Sequence, residues 1–357
     1  MSDMNPLARE LEQQLKCLNA PGLWLVDENP QSHCRPNPLV SVIGNRLDVI
    51  ERLGQQGWQA EFNDFELDRL PAAGFDTILY RISKEKAVVH HIISAAQRLL
   101  KPGGELILLG EKGEGIRTYA RKAELCLGGE RSETKLGASS WCARIGRSGA
   151  GGDCPDAQDY PTLRPACRDE RFEYCAKPGL FGWNKIDSGS ALLIEQLPEM
   201  LQQPLPLSGS LLDLGCGFGY LAMNAAGPAT ELVCTDNNAA ALQACQHNLQ
   251  RAGIKGEVLA SDAGDRLQQS FDTILCNPPF HSGFSVDGDL TDRFLMAAQR
   301  MLKPTGTACF VVNQHIPLER KATGRFADVS LWLDNGKFKL VRLRAPINQP
   351  FRDTHDL

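Results

Sequence analysis

The chain has 357 residues, 42% hydrophobic and 23% charged, with 33 Gly, 21 Pro and a formal net charge of −5. That length suits two domains, and that composition excludes a collagen-like, coiled-coil or extended disordered chain. No apolar run reaches the roughly 18 to 20 residues of a membrane span, and the start "MSDMNPLARELEQQL" lacks a basic-then-apolar leader, so a cytoplasmic protein without membrane association is expected.

The acidic balance does not attract phosphate over the whole surface, so any nucleic-acid contact must be local. "RKAELCLGGERSETK" from Arg121 and "KFKLVRLRAP" from Lys337 are the basic candidates, and on charge alone each reads as a solvated face. Twelve cysteines contain no Cys-x-x-Cys pair, and Cys216, Cys234, Cys276 and Cys309 fall inside apolar runs. Reduced, mostly buried thiols and no metal site are expected.

In chain order, the N-terminal part alternates strand-like and helical runs: "LWLV", "LVSVIG", "LDVIERLGQQG", "FDTILYRI", "VVHHIISAAQRLLKPGG" and "ELILLGE", then two short runs around "KLGASSWCARIG". Gly146 to Glu170 is rich in Gly, Pro and Asp without apolar periodicity and reads as a linker. "DSGSALLIEQL" then reads as a capped helix. From Ser210 the alternation returns: "LLDLG", "LAMNAA", "ELVCTD", "AALQACQHNLQRAG", "EVLASD", "FDTILCN", "RFLMAAQRMLKPTG" and "TACFVVN". Such alternation predicts a parallel sheet covered by helices. Asp334-Asn335-Gly336 between two apolar runs predicts a closing antiparallel hairpin.

The two halves share their wording. "FDTIL" at Phe75 recurs at Phe271, 196 residues on, and "AAQRLLKPGG" from Ala95 recurs as "AAQRMLKPTG" from Ala297, 202 residues on. The extra six residues fall where only the second copy reads "NPPFHSGF". A duplicated α/β domain is expected: residues 1–147 as a degenerate non-catalytic copy, 148–170 as linker and 171–357 as the catalytic copy.

"LLDLGCGFGYLA" puts Gly215, Gly217 and Gly219 at a strand-to-helix junction, where glycine lets backbone approach a ligand and helix-start amides face it. Asp213 before the first glycine would repel a pyrophosphate but suits an ammonium group. Asp236 ends the next strand, placed for two ribose hydroxyls, and Asp262 ends the third, placed for an adenine amino group. A nucleoside with an amino-acid tail fits all three.

Asn277 follows the fourth strand, where open α/β sheets place ligands. Its carboxamide oxygen, with the carbonyl of Pro278, is able to accept both hydrogens of a planar amino group and aim the nitrogen lone pair. Pro278 and Pro279 supply rigidity without donors, and Phe280 suits stacking on a flat base. His281 reads as a substrate contact or loop residue rather than a required base.

These features resemble the class I S-adenosylmethionine-dependent methyltransferases over Ser210 to Arg344. The likeness implies a cofactor site in which Asp213, Gly215, Cys216, Gly217 and Gly219 hold the methionine end. Asp236 and Asn237 would hold the ribose, Asp262 and Ala263 the adenine, and Asn277 would border the methyl group. "NPPF" resembles the motif of enzymes that methylate adenine N6, guanine N2 or a glutamine amide. Phe280 in place of Tyr, His281 after it, the preceding degenerate copy, "KPGLFGWNKIDSGSALL" and "GEKGEGIR" from Gly110 are together similar to the bacterial ribosomal RNA guanine-N2 methyltransferases. The small-subunit branch, acting on 16S rRNA, resembles this chain ahead of the large-subunit branch. Gly182-Trp183-Asn184 departs from the family's Ser-Arg type segment, and the linker is longer.

The resemblance implies two tandem Rossmann-like domains, a flipped guanine as substrate and a monomer acting on the small subunit or an assembly intermediate. The first copy lacks the Gly-rich loop and the amide-proline clamp, so it is expected to bind no methyl donor. Arg81, Lys84, Lys86, Arg117, Arg121 and Lys122 leave it either an RNA platform or a scaffold. The alternatives are 23S rRNA, a protein glutamine, adenine N6, or a non-enzymatic ribosome-assembly factor.

Overall fold

The computed structural model describes residues 5–28, 34–149, 151–279 and 288–347. The chain divides into two compact units. The first comprises Met1–Arg164, Lys177–Gly179 and Asn238–Ala240; the second comprises Pro165–Ala176, Leu180–Asn237 and Ala241–Leu357. Among the described residues, no helix is long and apolar enough to cross a membrane.

The first unit runs α1 (Pro6–Cys17), β1 (Gly22–Val26), β2 (Val40–Gly44), α2 (Leu47–Gln55), β3 (Gln59–Phe62), β4 (Phe75–Arg81), α3 (Lys86–Leu99), β5 (Leu100–Glu111), α4 (Ile116–Leu127), β6 (Gly128–Lys135) and β7 (Ser140–Arg147). Its sheet has the order β3-β2-β1-β4-β5-β7-β6. Pairing is parallel from β3 to β5 and antiparallel around β7. Both faces of β1 are buried, which is why "LWLV" reads as an unbroken apolar run. Leu23 and Leu25 pack in one core with residues of α3 and α4, while Trp24 and Val26 pack in another with residues of α1 and α2.

The second unit begins with a two-stranded ribbon, β8 (Arg164–Arg168) and β9 (Glu173–Ala176), followed by α5 (Ser188–Leu201). Then come β10 (Gly209–Leu214), α6 (Tyr220–Ala225), β11 (Thr230–Asp236), α7 (Ala239–Ala252), β12 (Glu257–Ala260), β13 (Phe271–Cys276), α8 (Gly288–Met301), β14 (Leu302–Asn313), α9 (Leu318–Ala322), β15 (Phe326–Asp334) and β16 (Phe338–Pro346). The sheet order is β12-β11-β10-β13-β14-β16-β15, the same as in the first unit. The hairpin falls where expected: Gly336 N donates to Asp334 Oδ1 at 2.9 Å and Phe338 N to Asn335 Oδ1 at 2.8 Å.

The repeated phrases hold equivalent parts together. Lys101 Nζ lies 2.6 Å from Asp76 Oδ2, and Lys303 Nζ lies 2.8 Å from Asp272 Oδ2, so the Asp of "FDTIL" meets the Lys of "LKP" in each unit. Arg98 donates to the carbonyls of Leu67 and Leu70, and Arg300 to those of Gly264 and Leu267. The arginines fasten each helix to the loop before β4 or β13, and the lysines fasten the strand after each helix to β4 or β13, which is a structural reason for both copies to keep them.

The segment expected as a linker has partners. Ser94 Oγ donates to Pro155 O and Gln97 Nε2 to Gly152 O, so its first part lies against α3. Residues up to Arg164 belong to the first unit, and its end forms β8. Gly and Pro content indicates irregular backbone, but not the side chains that donate to its carbonyls. The expectation of reduced thiols is corrected at one place: Cys126 of α4 and Cys154 form a disulfide, brought together as that segment runs beside the helix. Of the described free cysteines, Cys17 is exposed, Cys167 half-buried and the rest buried.

Candidate active site

The turn from β10 into α6 is built on three left-handed glycines, Gly215 (φ 83°), Gly217 (φ 54°) and Gly219 (φ 91°). The amides of Gly215 and Cys216 both donate to Thr235 O at 2.9 Å, fastening the turn to β11. Gly217 N donates to Asp236 Oδ2 at 3.0 Å, so the acid ending β11 braces the loop. A Cβ on Gly217 would meet nothing within 4 Å among the described residues, so the backbone borders open space there.

Asp213 is wholly buried beneath this turn. Its Oδ2 accepts from Ala222 N at 2.9 Å, and its Oδ1 has no hydrogen-bond partner among the described residues. Burial pushes the carboxyl well above its ordinary range, and the charge of Asp236 adds to the rise. An orphaned buried carboxylate oxygen is the feature a cationic ligand group would relieve.

Asp262 follows β12, and its carboxylate meets the Arg293 guanidinium from α8. Asn237 Nδ2 lies 3.4 Å from Asp262 Oδ1, so the residues after β11 and β12 touch. Ala263 has φ 48°, a left-handed conformation uncommon for a residue with a side chain.

Asn277 follows β13 with Pro278 buried and Pro279 exposed behind it. Its Nδ2 donates to Asp187 Oδ2 at 2.9 Å and to Ser190 Oγ at 2.8 Å, both at the start of α5. Oδ1 therefore points away from these two residues. Phe280 and His281 lie outside the described residues. The sequence marked Asp187 only as a helix cap; its 90-residue reach to Asn277 carried no local signal. Thr235 and Arg293 were likewise not anticipated, because a backbone acceptor and a surface arginine look ordinary in sequence.

Register shows what the first unit has in the same places. Gly22 pairs with Thr77 and Leu211 with Thr273, the equivalent threonines of "FDTIL", so Trp24 occupies the position of Asp213. Trp24 pairs with Val42 and Asp213 with Cys234, so Gly44 stands for Asp236. A Cβ on Gly44 would come within 2.5 Å of Val26 Cγ2 and 2.8 Å of Val26 O, leaving no room for a carboxylate. Arg81 stands for Asn277 and is committed to Glu114 at 2.6 Å and to the carbonyl of Ile82 at 2.7 Å.

The basic candidates are largely paired. Arg117 binds Glu133 at 3.0 Å, Lys122 Nζ lies 3.0 Å from His90 Nε2, and Lys339 binds Glu319 at 2.9 Å. Lys84, Lys86 and Arg121 are exposed. Lys337 Nζ reaches Ser188 Oγ at 3.2 Å, on the same α5 start that holds Asn277.

A glycine turn after β10, acids at the ends of β10 and β11 and after β12, and a carboxamide after β13, on a sheet of this order, define a class I methyltransferase fold. The methyltransferase small domain family matches residues 171–342. The ribosomal RNA small subunit methyltransferase C of Shewanella loihica is 32% identical over 278 residues, covering 76% of this chain and 77% of that protein. Its namesake from Shewanella amazonensis is 30% identical over 314 residues, covering 86% and 87%. The solved structure of the T. thermophilus 16S rRNA N2 methyltransferase in complex with AdoMet and guanosine has a TM-score of 0.82, 24% identity, and coverage of 96% of this chain and 92% of that one. The chain belongs to the ribosomal RNA small subunit methyltransferase C family.

Proposed function

We propose that this chain transfers the methyl group of S-adenosylmethionine (AdoMet) to the exocyclic N2 amino group of a guanine in small-subunit ribosomal RNA. The observation that carries the reading is the series Asp213, Asp236, Asp262 and Asn277, one after another along the strands β10, β11, β12 and β13. The names of the relatives and the guanosine in the T. thermophilus neighbour support the choice of base and RNA.

The residues fit the cofactor. Asp213, with its orphaned oxygen, would face the ammonium of the methionine end, and the backbone of Gly215, Cys216, Gly217 and Gly219 would admit its chain. Asp236 and Asn237 would take the ribose, and Asp262 and Ala263 the adenine. AdoMet supplies an electrophilic methyl on a neutral leaving group, so alignment is the protein's main task. Asn277 Oδ1 and the Pro278 carbonyl accept the two N–H bonds of the target amine and aim its lone pair. Phe280, outside the described residues, would stack on the extruded base, whose unstacking costs a few kcal/mol. The first unit acts as scaffold or RNA platform, and the chain works as a monomer on the subunit or an assembly intermediate.

The test is Asn277→Ala. It should keep AdoMet binding and lose methylation; normal methylation in that variant would sink the reading. Mass mapping of rRNA from cells with and without the protein tests the substrate. Unchanged guanine-N2 methylation of 16S rRNA would refute it.

A further inference from the structure

The two hydrogens of the Asn277 amide each have an acceptor within the protein, Asp187 Oδ2 and Ser190 Oγ. The two ends of a carboxamide are nearly alike in shape, so its partners alone decide which end faces outward. Turned over, Asn277 would set Oδ1 against the Asp187 carboxylate, and it would offer N–H groups where the reaction needs an acceptor.

Asp187 is itself fixed. It is the N-cap of α5, and the oxygen that receives Asn277 Nδ2 also accepts from Ser190 N at 2.8 Å. Gly189 leaves this oxygen room, because a Cβ there would stand 3.0 Å from it and 3.1 Å from the Phe338 ring. The "DSGS" turn thus delivers a carboxylate and a hydroxyl to one amide from one helix start, with Gly189 and Ser190 buried.

We propose that Asp187, with Ser190, is a positioning residue that sets the polarity of Asn277 and holds its carbonyl end toward the amino group to be methylated. This inference rests on the reading of Asn277 as acceptor for that group. Asp187 acts through Asn277 and need not touch the substrate.

The experiment compares the full-length parent with Asp187→Ala, Asp187→Asn, Ser190→Ala, Asn277→Ala and the double variant Asp187→Ala/Asn277→Ala. Single-turnover methylation of unmodified small-subunit RNA is measured beside AdoMet Kd. Asp187→Ala should slow methylation about 100-fold while AdoMet Kd moves less than about 3-fold, as loss of alignment rather than of cofactor binding requires. Asp187→Asn should recover most of the rate, because the cap bond from Ser190 N pins its side-chain oxygen in the same place. Ser190→Ala should cost about 10-fold. The double variant should be no slower than Asn277→Ala alone, since the residues act as one unit.

A purely structural cap would lower thermal stability and AdoMet affinity together, and its effect would multiply with that of Asn277→Ala. That outcome overturns the proposal, as does a parental rate in Asp187→Ala. If Asp187→Ala does not fold, Ser190→Ala keeps the cap oxygen and decides the matter, an unchanged rate being contrary. Parental turnover in Asn277→Ala removes the clamp reading together with this inference. An inactive Asn277→Ala beside an unimpaired Asp187→Ala removes this inference alone.

Discussion

Ala222 donates its amide to Asp213 Oδ2 at 2.9 Å, and the other oxygen of that wholly buried carboxyl group has no hydrogen-bond partner among the described residues. The helix start therefore satisfies half of a charge-bearing group that the fold has removed from water. Burial raises the folded-state pKa above the unfolded one, so in the window between the two values the folded chain holds a proton that the unfolded chain has lost. Stability is then lost as pH rises from about 4 toward the raised value, the reverse of a salt-bridged acid. Asp213→Asn should flatten this part of the pH dependence of the thermal midpoint and weaken AdoMet binding. An unchanged slope in a pH series of melting curves would contradict the assignment.

A ligand ammonium beside Asp213 should lower its raised pKa, so in the pH window between the free and bound values AdoMet uptake should release protons and tighten as pH rises. Calorimetry in buffers of different ionisation enthalpy measures this directly. A buffer-independent heat would count against Asp213 as the ammonium partner.

Gly219 has φ 91°, and a Cβ on it would stand 3.1 Å from Cys245 Sγ. Gly219→Ala combines left-handed strain with this crowding, at about 1–2 kcal/mol for the backbone alone. If the strain is relieved by moving the loop, AdoMet affinity should fall about tenfold. Circular dichroism should stay native-like while titration reads the loss; full affinity would show that the loop tolerates a side chain.

The first unit has Trp24, Gly44 and Arg81 where the second has Asp213, Asp236 and Asn277. One AdoMet per chain is the expected stoichiometry, and two would overturn the assignment of the first unit as donor-free. Trp24 is 1% exposed and packs edge-on to Trp58 at 5.3 Å, so Trp24→Ala should cost about 3–5 kcal/mol in denaturant unfolding.

Asp272 is held down to about 2 by Lys303 first, then by the amide and hydroxyl of Ser210. A depressed carboxylate stabilises above its unfolded pKa and loses that contribution as pH falls through the folded value, here from about 4 to about 2. Its side chain is 42% exposed, so screening limits the effect to less than about 1 kcal/mol. Asp272→Asn should remove that acid-range loss in a fluorescence-monitored titration, and an unaltered acid midpoint would speak against it.

Much of the fold is legible because "FDTIL", "AAQR" and "LKP" carry both an apolar rhythm and the side chains that fasten it. The hairpin at Asp334 to Gly336 is legible because its turn chemistry is local. Less legible is the stretch after Arg147, whose composition indicates irregular backbone while its partners on α3 and α4 come from earlier in the chain. The candidate site is legible at its strand ends and illegible in its supports. Asp187 looks like any helix cap, and Arg293, which meets Asp262, looks like any surface cation on α8.

The sequence by itself determined the duplicated α/β order, the glycine turn after β10 and the placing of Asp213, Asp236, Asp262 and Asn277, because these depend on residues within a few positions of one another. Only the tertiary structure decided which way the Asn277 amide faces, that Asp213 keeps one oxygen unpaired, and that Trp24 and Gly44 fill the equivalent places in the first unit. Those outcomes depend on strand register and on packing between residues far apart in the chain. Hydrophobic period and turn chemistry, being short-range, do not encode them.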